Sequence, residues 1–249
     1  MSYLRKVEFG GRELSGSVYI TDDAEEAARL QDRGEAVVVY LHDENREQSF
    51  PGVLYAVEAP EDVDEEYAEK VYRRSKGMPW NILETERCLV RETTPEDAEA
   101  FFQIYSEPSI TEFMENLYPD PEQEKAYIRD YRKNVYEFYG FGVWTVVEKA
   151  SGMVIGRAGL SYREGCEIPE LGFVIGVPRQ RKGYAREVCS AILQYGWEEL
   201  GFTEVQALVE PENQASLRLC DGLGFRRERE VTMENKAYLL LKCDRPGGA

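Results

Sequence analysis

The sequence has one histidine, His42, and its cysteines lack the short spacing of a metal site or a redox pair. A single histidine excludes mechanisms that need two, such as a His-x-x-x-His zinc site, and favours carboxylates as general bases. An odd number of scattered cysteines predicts reduced thiols and no disulfide framework. We therefore expect no metal centre. The cysteines are Cys88, Cys166, Cys189, Cys220 and Cys243.

The sequence also lacks long apolar runs and an excess of basic residues. No run approaches the roughly 18 apolar residues of a membrane helix, and residues 1–6 lead into no hydrophobic stretch of a signal peptide. Lys and Arg number 30 against 47 Asp and Glu, which gives a formal net charge of −17. No basic stripe compensates for this charge, so nucleic acid is a poor partner. We expect a cytoplasmic protein with neither a membrane nor a nucleic acid as partner.

The 249 residues, 43% of them hydrophobic, suffice for one large domain or two modest ones. The first part alternates β-branched runs with Ala- and Glu-rich segments, which predicts a small, mostly parallel α/β domain. Asp22 and Asp23 follow a strand, where helix capping is favoured over metal or phosphate chemistry. Turn residues at 76–79 precede a new strand at 87–91. We therefore predict a domain of residues 1–86 and a second of residues 87–249. The first-domain strands are predicted at 18–21, 36–41 and 53–57, and its helices at 22–33 and 64–75.

The second part shows the predicted order β-α-α-β-β-β-α-β-α-β-β, an α/β fold with a mixed central sheet. Turn residues at 150–152 and 163–165 predict hairpin connections. The strands are predicted at 87–91, 142–148, 153–162, 168–175, 203–209, 225–231 and 236–241. The helices are predicted at about 94–106, 122–138, 183–200 and 213–223.

The junction between a buried strand and an amphipathic helix carries residues suited to an anion. A helix start offers unpaired N–H groups and the positive end of the helix dipole, and small residues let a ligand approach the backbone. Basic side chains, including Arg179, add charge for phosphates. The alternative is an ordinary glycine-containing helix start with solvated basic residues. The candidate residues are Gln180, Arg181, Lys182, Gly183, Tyr184 and Ala185.

The run from Glu170 through Ala185 resembles the acetyl-coenzyme A motif of the GNAT N-acetyltransferases, whose core is Gln/Arg-x-x-Gly-x-Gly/Ala. Downstream, Asn213 to Ser216 with Gly224-Phe225 is similar to a second motif of that family at its usual distance. The resemblance covers residues 87–243 and is greatest to the branch that acts on ribosomal-protein N-termini and related amines. It implies a GNAT fold for the second domain and acetyl-CoA as co-substrate.

The same resemblance implies where the cofactor binds. The pyrophosphate would lie on the N–H groups of residues matching Arg181 to Ala185, and the pantetheine arm would pair with the strand at Phe173, Val174 and Ile175. An N–H group near Val174 would polarise the thioester carbonyl. Neither a metal nor a covalent enzyme intermediate is required.

Three residues are candidates for the catalytic step. Glu170 matches a position where the branch has a base, but as a strand residue it would also suit a surface salt bridge. Asn213, together with Ser216, positions the cofactor arm or a water, or Asn213 is an ordinary N-cap with Ser216 at the third helical position. Cys220 stands where many relatives have a tyrosine that acts as the general acid. It either donates a proton to the departing thiolate or is a buried residue that only packs in the core.

The function predicted is transfer of an acetyl group from acetyl-CoA to a primary amine in a ternary complex. The alternative is a non-catalytic acetyl-CoA-binding module, motivated by Cys220 in place of tyrosine. A peptide N-terminus and a small-molecule amine both stay open as acceptor, and the acidic, aromatic stretch 113–120 would suit a cationic amine. The sequence indicates no role for residues 1–86 and leaves open whether the chain forms a homodimer.

Overall fold

The computed structural model describes residues 2–11, 14–163, 165–233 and 235–247. The chain divides into two compact units, Met1–Trp80 and Asn81–Ala249. This division lies six residues before the boundary predicted from sequence, because Asn81–Glu84 forms a strand that pairs within the second unit. No helix in the described residues is both long and apolar enough to span a bilayer.

The first unit is a four-stranded sheet with two helices. Its strands follow the spatial order β1-β2-β3-β4, in which β1 is antiparallel to β2 and the other pairs are parallel. The carboxylate of Asp23 accepts the Glu26 N–H at 2.9 Å, so this residue caps the first helix as the sequence indicates. The elements are β1 (Leu4–Gly10), β2 (Ser15–Thr21), α1 (Ala24–Asp32), β3 (Ala36–Tyr40), β4 (Tyr55–Val57) and α2 (Glu65–Ser75).

The second unit is built on an eight-stranded mixed sheet, with spatial order β11-β12-β10-β9-β8-β7-β6-β5. Its strands are β5 (Asn81–Glu84), β6 (Cys88–Arg91), β7 (Val143–Glu148), β8 (Val154–Ser161), β9 (Glu170–Ile175), β10 (Glu204–Val209), β11 (Arg226–Met233) and β12 (Lys236–Asp244). Its α-helices are α3 (Ala98–Tyr105), α4 (Pro108–Thr111), α5 (Pro121–Tyr131), α6 (Glu137–Tyr139), α7 (Tyr184–Glu198) and α8 (Gln214–Gly222).

The predicted fold class and strand order of the second unit are confirmed, with additions. The strand β5 and the short helix α4 were not predicted. The predicted helix over 122–138 is three pieces, because a π-helical stretch, Arg132–Tyr136, separates α5 from α6. The antiparallel pairing of β7 with β8 agrees with the first predicted hairpin. The second includes Glu164, which lies outside the described residues.

Helices cover both faces of the second sheet. Helix α7 packs one face through Val188, Cys189 and Ile192, in a core that also holds Leu171 of β9. Helices α3 and α5 pack the other face, in a core that holds Val174. Because successive strand side chains point to opposite faces, β9 contributes to both cores. This strand is therefore the structural centre of the unit.

Candidate active site

The sheet opens between β9 and β10. Strand β9 pairs with β8 at every position from Glu170 to Ile175, but its register with β10 consists of Glu170 opposite Gln206. The N–H of Gln206 donates to the carbonyl of Pro169 at 2.9 Å, just before the strands part. The β10 side of β9 is therefore an unpaired backbone edge.

The hydrogen-bond pattern identifies which residues of β9 face this edge. The N–H of Gly176 donates to its β8 partner Ile155 at 2.8 Å. Because backbone direction alternates along a strand, Val174 then faces β8 while Phe173 and Ile175 face the opening. The N–H beside the opening accordingly belongs to Phe173, the neighbour of Val174, and so lies near Val174 as the sequence analysis expects. Among the described residues no partner is found for the Phe173 N–H or carbonyl.

The loop that joins β9 to α7 has the conformation of an anion-binding nest. Arg181 has φ 59° and Gly183 has φ 86°, both in the left-handed region. The first helical bond of α7 runs from Glu187 N–H to the Gly183 carbonyl at 3.0 Å. In the described part of the chain, the N–H groups of residues 181–186 have no acceptor. A run of free N–H groups at the start of a 15-residue helix has the geometry and the dipole that favour an anion.

The loop is held from one side by Glu148. Its carboxylate accepts two hydrogen bonds from Arg179, at 2.9 and 2.8 Å, and one from the Tyr184 hydroxyl at 2.5 Å. Hydrogen bonds from Arg179, Ser151 and Tyr184 lower the pKa of Glu148 to about 2. Arg179 therefore braces the loop and is not a free charge for phosphate.

A second brace comes from Arg87. Its Nε donates to Glu187 at 2.6 Å, its Nη1 donates to the Lys182 carbonyl at 3.0 Å, and its guanidinium lies 4.2 Å from the centre of the Tyr184 ring. The Cβ of any larger residue at Gly183 would lie 3.4 Å from Arg87 Nη2. The backbone of the loop is thus fixed before any ligand arrives.

The remaining basic side chains of the loop are exposed. Lys182 donates to the Pro178 carbonyl at 2.8 Å, and Gln180 donates to the Ile175 carbonyl at 2.9 Å. Arg181 has no side-chain partner in the described residues. Ala185 is half-buried and leaves the helix start open. The side chain of Gln180 thus holds the strand end in place, while Arg181 stays available to an incoming anion.

Next to the opening lies a cleft of about 1060 Å³. Residues 170–174 of β9 form one side, and residues 113–119 form another, so the acidic, aromatic stretch noted in the sequence lies on the cleft. Asn213 and Ser216 line it from the start of α8. The structure thus gathers Glu170, Asn213 and Ser216 around one cavity.

Glu170 lines the cleft but is also ion-paired. Arg163 donates to both of its carboxylate oxygens, at 2.8 and 3.0 Å. The salt bridge that the sequence offered as an alternative is therefore present. The carboxylate side chain is 15% exposed and Arg163 is 43% exposed, so the pair lies at the rim of the cleft.

Asn213 has the geometry of an N-cap. Its Oδ1 accepts the Ser216 N–H at 3.1 Å, with Ser216 at the third helical position. An acceptor oxygen used in this way leaves the amide nitrogen for other contacts. Capping and a role on the cleft are therefore compatible.

Cys220 is not placed to transfer a proton at the cleft. It is fully buried in the core against α7, and it does not line the cleft. Burial, followed by the neighbouring Cys243, raises the pKa of its thiol to about 12. This placement favours the packing role and argues against Cys220 as the acid.

Residues 87–226, more than half of the chain, match the family model described as an acetyltransferase (GNAT) domain. The chain belongs to the GNAT acetyltransferase family. The match does not extend into the first unit, which stays unassigned. Within the described residues, no cluster of His, Cys, Asp and Glu could hold a metal ion.

Relatives of this GNAT domain include an uncharacterized N-acetyltransferase of Bacillus subtilis, YoaA, which is 32% identical over 150 residues, 59% of this chain and 84% of that protein. A ribosomal-protein-S5-alanine acetyltransferase from Vibrio fischeri has TM-score 0.57 at 18% identity, covering 66% of this chain and 97% of that one. Mycobacterium smegmatis RimJ in complex with CoA-disulfide has TM-score 0.51 at 16% identity, covering 63% and 81%. At these identities the two structures show the shared fold alone.

Several charged residues of the GNAT domain line the cleft without having been candidates in the sequence, among them Arg157 and Glu124. Glu124 is 2% exposed, and its Oε2 accepts the Tyr118 N–H at 3.1 Å. Its Oε1 has no partner among the described residues. A signal existed for Arg157, which is a lone charge within the apolar run of a central strand.

Proposed function

We propose that the second unit transfers the acetyl group of acetyl-CoA to a primary amine by direct attack in a ternary complex. The observation that carries this proposal is the run of free N–H groups at residues 181–186, which follows directly on the unpaired edge of β9. Together they fit a phosphate group joined to an extended, amide-containing arm. The RimJ structure, which holds a CoA disulfide on the same fold, supports this ligand class.

In the proposed complex, the pyrophosphate binds the N–H groups from Arg181 to Ala185, with Arg181 and Lys182 adding charge. The pantetheine amides pair with the Phe173 carbonyl and the Ile175 N–H along the open edge, which leaves the Phe173 N–H for the thioester carbonyl. Asn213 and Ser216 contact the arm from the start of α8. These contacts place the thioester at the mouth of the cleft, where proximity supplies much of the rate enhancement.

The chemical step is acyl transfer. The amine nitrogen attacks the thioester carbonyl carbon, the Phe173 N–H donates to the developing oxyanion, and the C–S bond then breaks to release the thiolate of CoA. Glu170 accepts the proton that the amine loses, directly or through a water. The thiolate takes its proton from solvent or departs without one.

Calorimetric titration with acetyl-CoA tests the nest. Gly183→Asp places a negative charge among the free N–H groups, so we expect binding to weaken by at least about 100-fold. Gly201→Asp is the matched control, because Gly201 also has a positive φ, 71°, and its Cβ would meet no atom within 4 Å. Unchanged binding by Gly183→Asp would contradict the proposed site.

Turnover separates the enzyme from the binding module. Thiol release is measured in the same samples with a panel of amines and peptides. Release above background with any member supports the transferase. Tight acetyl-CoA binding without release from any member would favour the non-catalytic alternative.

A further inference from the structure

Arg157 lies on the acceptor side of the cleft, next to the thioester position proposed above. It belongs to β8 and stands directly opposite Val174 of β9. Its guanidinium carbon lies 4.8 Å from the centre of the fully buried Phe101 ring, under helix α3. The side chain therefore faces α3 and α5, on the face of the sheet opposite α7.

The guanidinium has no carboxylate partner in the described residues, and its buried Nε has no hydrogen-bond partner there. Four other arginines of this unit, by contrast, each form an ion pair: Arg87, Arg91, Arg163 and Arg179. Charges taken out of water are normally paired, because their desolvation is costly. An unpaired cation at a cleft is therefore a site for an anion supplied from outside.

The floor of the cleft runs from Arg157 to Glu170 without side chains between them. Three register pairs lie on this face: Arg157 with Val174, Gly159 with Gly172, and Ser161 with Glu170. A Cβ on Gly172 would meet no atom within 4 Å, whereas one on Gly159 would clash with the Gly142 carbonyl, so the open space of the floor lies over β9. From Arg157 to Ser161 the strand rises about 13 Å, which suits a small molecule with functional groups at both ends.

The cleft carries charges of both signs: besides Arg157 it is lined by the buried Glu124, whose Oε1 has no partner among the described residues. Arg157 therefore suits a carboxylate, and Glu124 suits an amine. Tyr105, Tyr127 and Tyr131 line the same cleft as Arg157. The Tyr131 oxygen accepts the Val143 N–H at 2.9 Å, so its proton remains for another acceptor. A guanidinium can hold a carboxylate through two parallel N–H···O bonds, and a tyrosine hydroxyl on the same cleft can donate a further one.

We propose that Arg157 binds a carboxylate of the acceptor, and that the acceptor is a small molecule with both a primary amine and a carboxylate. This inference rests on the proposed transferase function. A polyamine, in contrast, would place an ammonium group beside an unpaired guanidinium. Such a like-charge contact disfavours polycations as acceptors.

The test compares acids with their amides. β-Alanine, 5-aminopentanoate, 7-aminoheptanoate and 9-aminononanoate are each assayed against the corresponding carboxamide, with spermidine as a polycation. The amine-to-carboxylate distance in this series rises towards the length of the floor, about 13 Å. We expect at least one acid to exceed its amide in kcat/KM by about 10-fold or more in the wild type. Arg157→Gln brings that ratio close to one, because the acid loses more of its kcat/KM than the amide does. Arg157→Lys retains part of the preference.

Arg129→Gln is the matched control, since Arg129 is exposed on α5 and does not line the cleft. A ratio near one in the wild type, a preference for spermidine, or a preference that survives Arg157→Gln would each overturn the proposal. If no member turns over, the CoA-loaded protein is titrated with the N-acetylated acids. Binding that weakens at least about 10-fold in Arg157→Gln supports the proposal, and absence of binding overturns it.

Failure of this inference is distinct from failure of the transferase. Loss of the transferase shows as absent acetyl-CoA binding in the wild type. Failure of the carboxylate site shows as intact acetyl-CoA binding without any dependence on Arg157.

Discussion

Replacing Gly172 with valine is expected to block the acceptor side of the cleft without harming the fold. Gly172 lies in the middle of β9, between Glu170 and Val174 on one face. Its Cβ would have open space around it, and its φ is not in the left-handed region. The new methyl groups therefore project into the cleft and contact no neighbouring backbone.

We expect the substitution to change the free energy of unfolding only slightly, and to raise it rather than lower it. Glycine in a strand is less favourable than a residue with a Cβ by about 0.5–1 kcal/mol, and valine suits strands well. For a chain of this size, 1 kcal/mol corresponds to about 2–4 °C in Tm. We therefore expect Gly172→Val to leave Tm unchanged or to raise it by up to about 4 °C.

The effect on activity is large in comparison. Displacing a reacting group by about 1 Å costs about 100-fold in rate, and the valine methyls obstruct the path of the amine. We expect kcat/KM for the acceptor to fall by about 100-fold while acetyl-CoA affinity changes by less than about threefold. In the proposed complex the cofactor pairs with the strand edge, which the substitution does not alter.

Three measurements on one preparation test this expectation: thiol release, calorimetric titration with acetyl-CoA, and thermal unfolding. Gly10→Val is the control, because Gly10 ends a strand of the first unit and its Cβ would also meet nothing within 4 Å. Wild-type kcat/KM in Gly172→Val would refute the assignment of this face to the acceptor. A lowered Tm would refute the open floor, and an equal loss of acetyl-CoA affinity would refute the separation of the two substrates.

Two further predictions concern the brace and the core. Hydrogen bonds from Arg179, Ser151 and Tyr184 hold the pKa of Glu148 in the folded state at about 2, below its ordinary value of 4.5. The ionised carboxylate therefore stabilises the fold above pH 4.5, and this contribution is lost as the pH falls to about 2. The difference in urea midpoint between wild type and Glu148→Gln should shrink over that range, and a constant difference would contradict the ion pair. Cys220→Ser should lower the free energy of unfolding by about 1–3 kcal/mol through a buried hydroxyl, with kcat within about threefold. A loss of kcat of about 100-fold with intact acetyl-CoA binding would restore Cys220 as the acid.

Most elements of the fold follow from local sequence patterns, and the ones that were missed have physical reasons. Strand β1 alternates buried Val7 and Phe9 with charged residues, a period-2 pattern that is short and close to the chain start. Strand β5 has four residues, none of them buried, and it exists because it pairs with β6. Because β5 pairs within the second unit, the boundary between the units lies after Trp80 and not after residue 86. The turn residues at 76–79 are therefore closer to the boundary than the predicted strand that begins at residue 87.

The candidate site also has parts that the local sequence predicts and parts that only the packing of the fold brings together. The nest at residues 181–186 is local, because glycine and a helix start lie together in the sequence. Arg157 and Glu124 belong to different elements, and only the packing of α5 over β8 brings them to one cleft. Cys220 illustrates the reverse case, in which a position in a motif is occupied by a residue that the fold buries. The local sequence does not indicate the first outcome, and it offers the second as one of two alternatives.

Strand β9 explains how one element could serve two substrates. Its residues alternate in two respects at once, the face of the side chain and the direction of the backbone groups. Phe173 and Ile175 turn their N–H and carbonyl groups to the opening, where the proposed cofactor arm pairs. Glu170, Gly172 and Val174 turn their side chains to the cleft, where the proposed acceptor binds beside Arg157. A slip of one residue in the pairing with β8 would exchange these roles, so the register of β9 determines both halves of the proposed site.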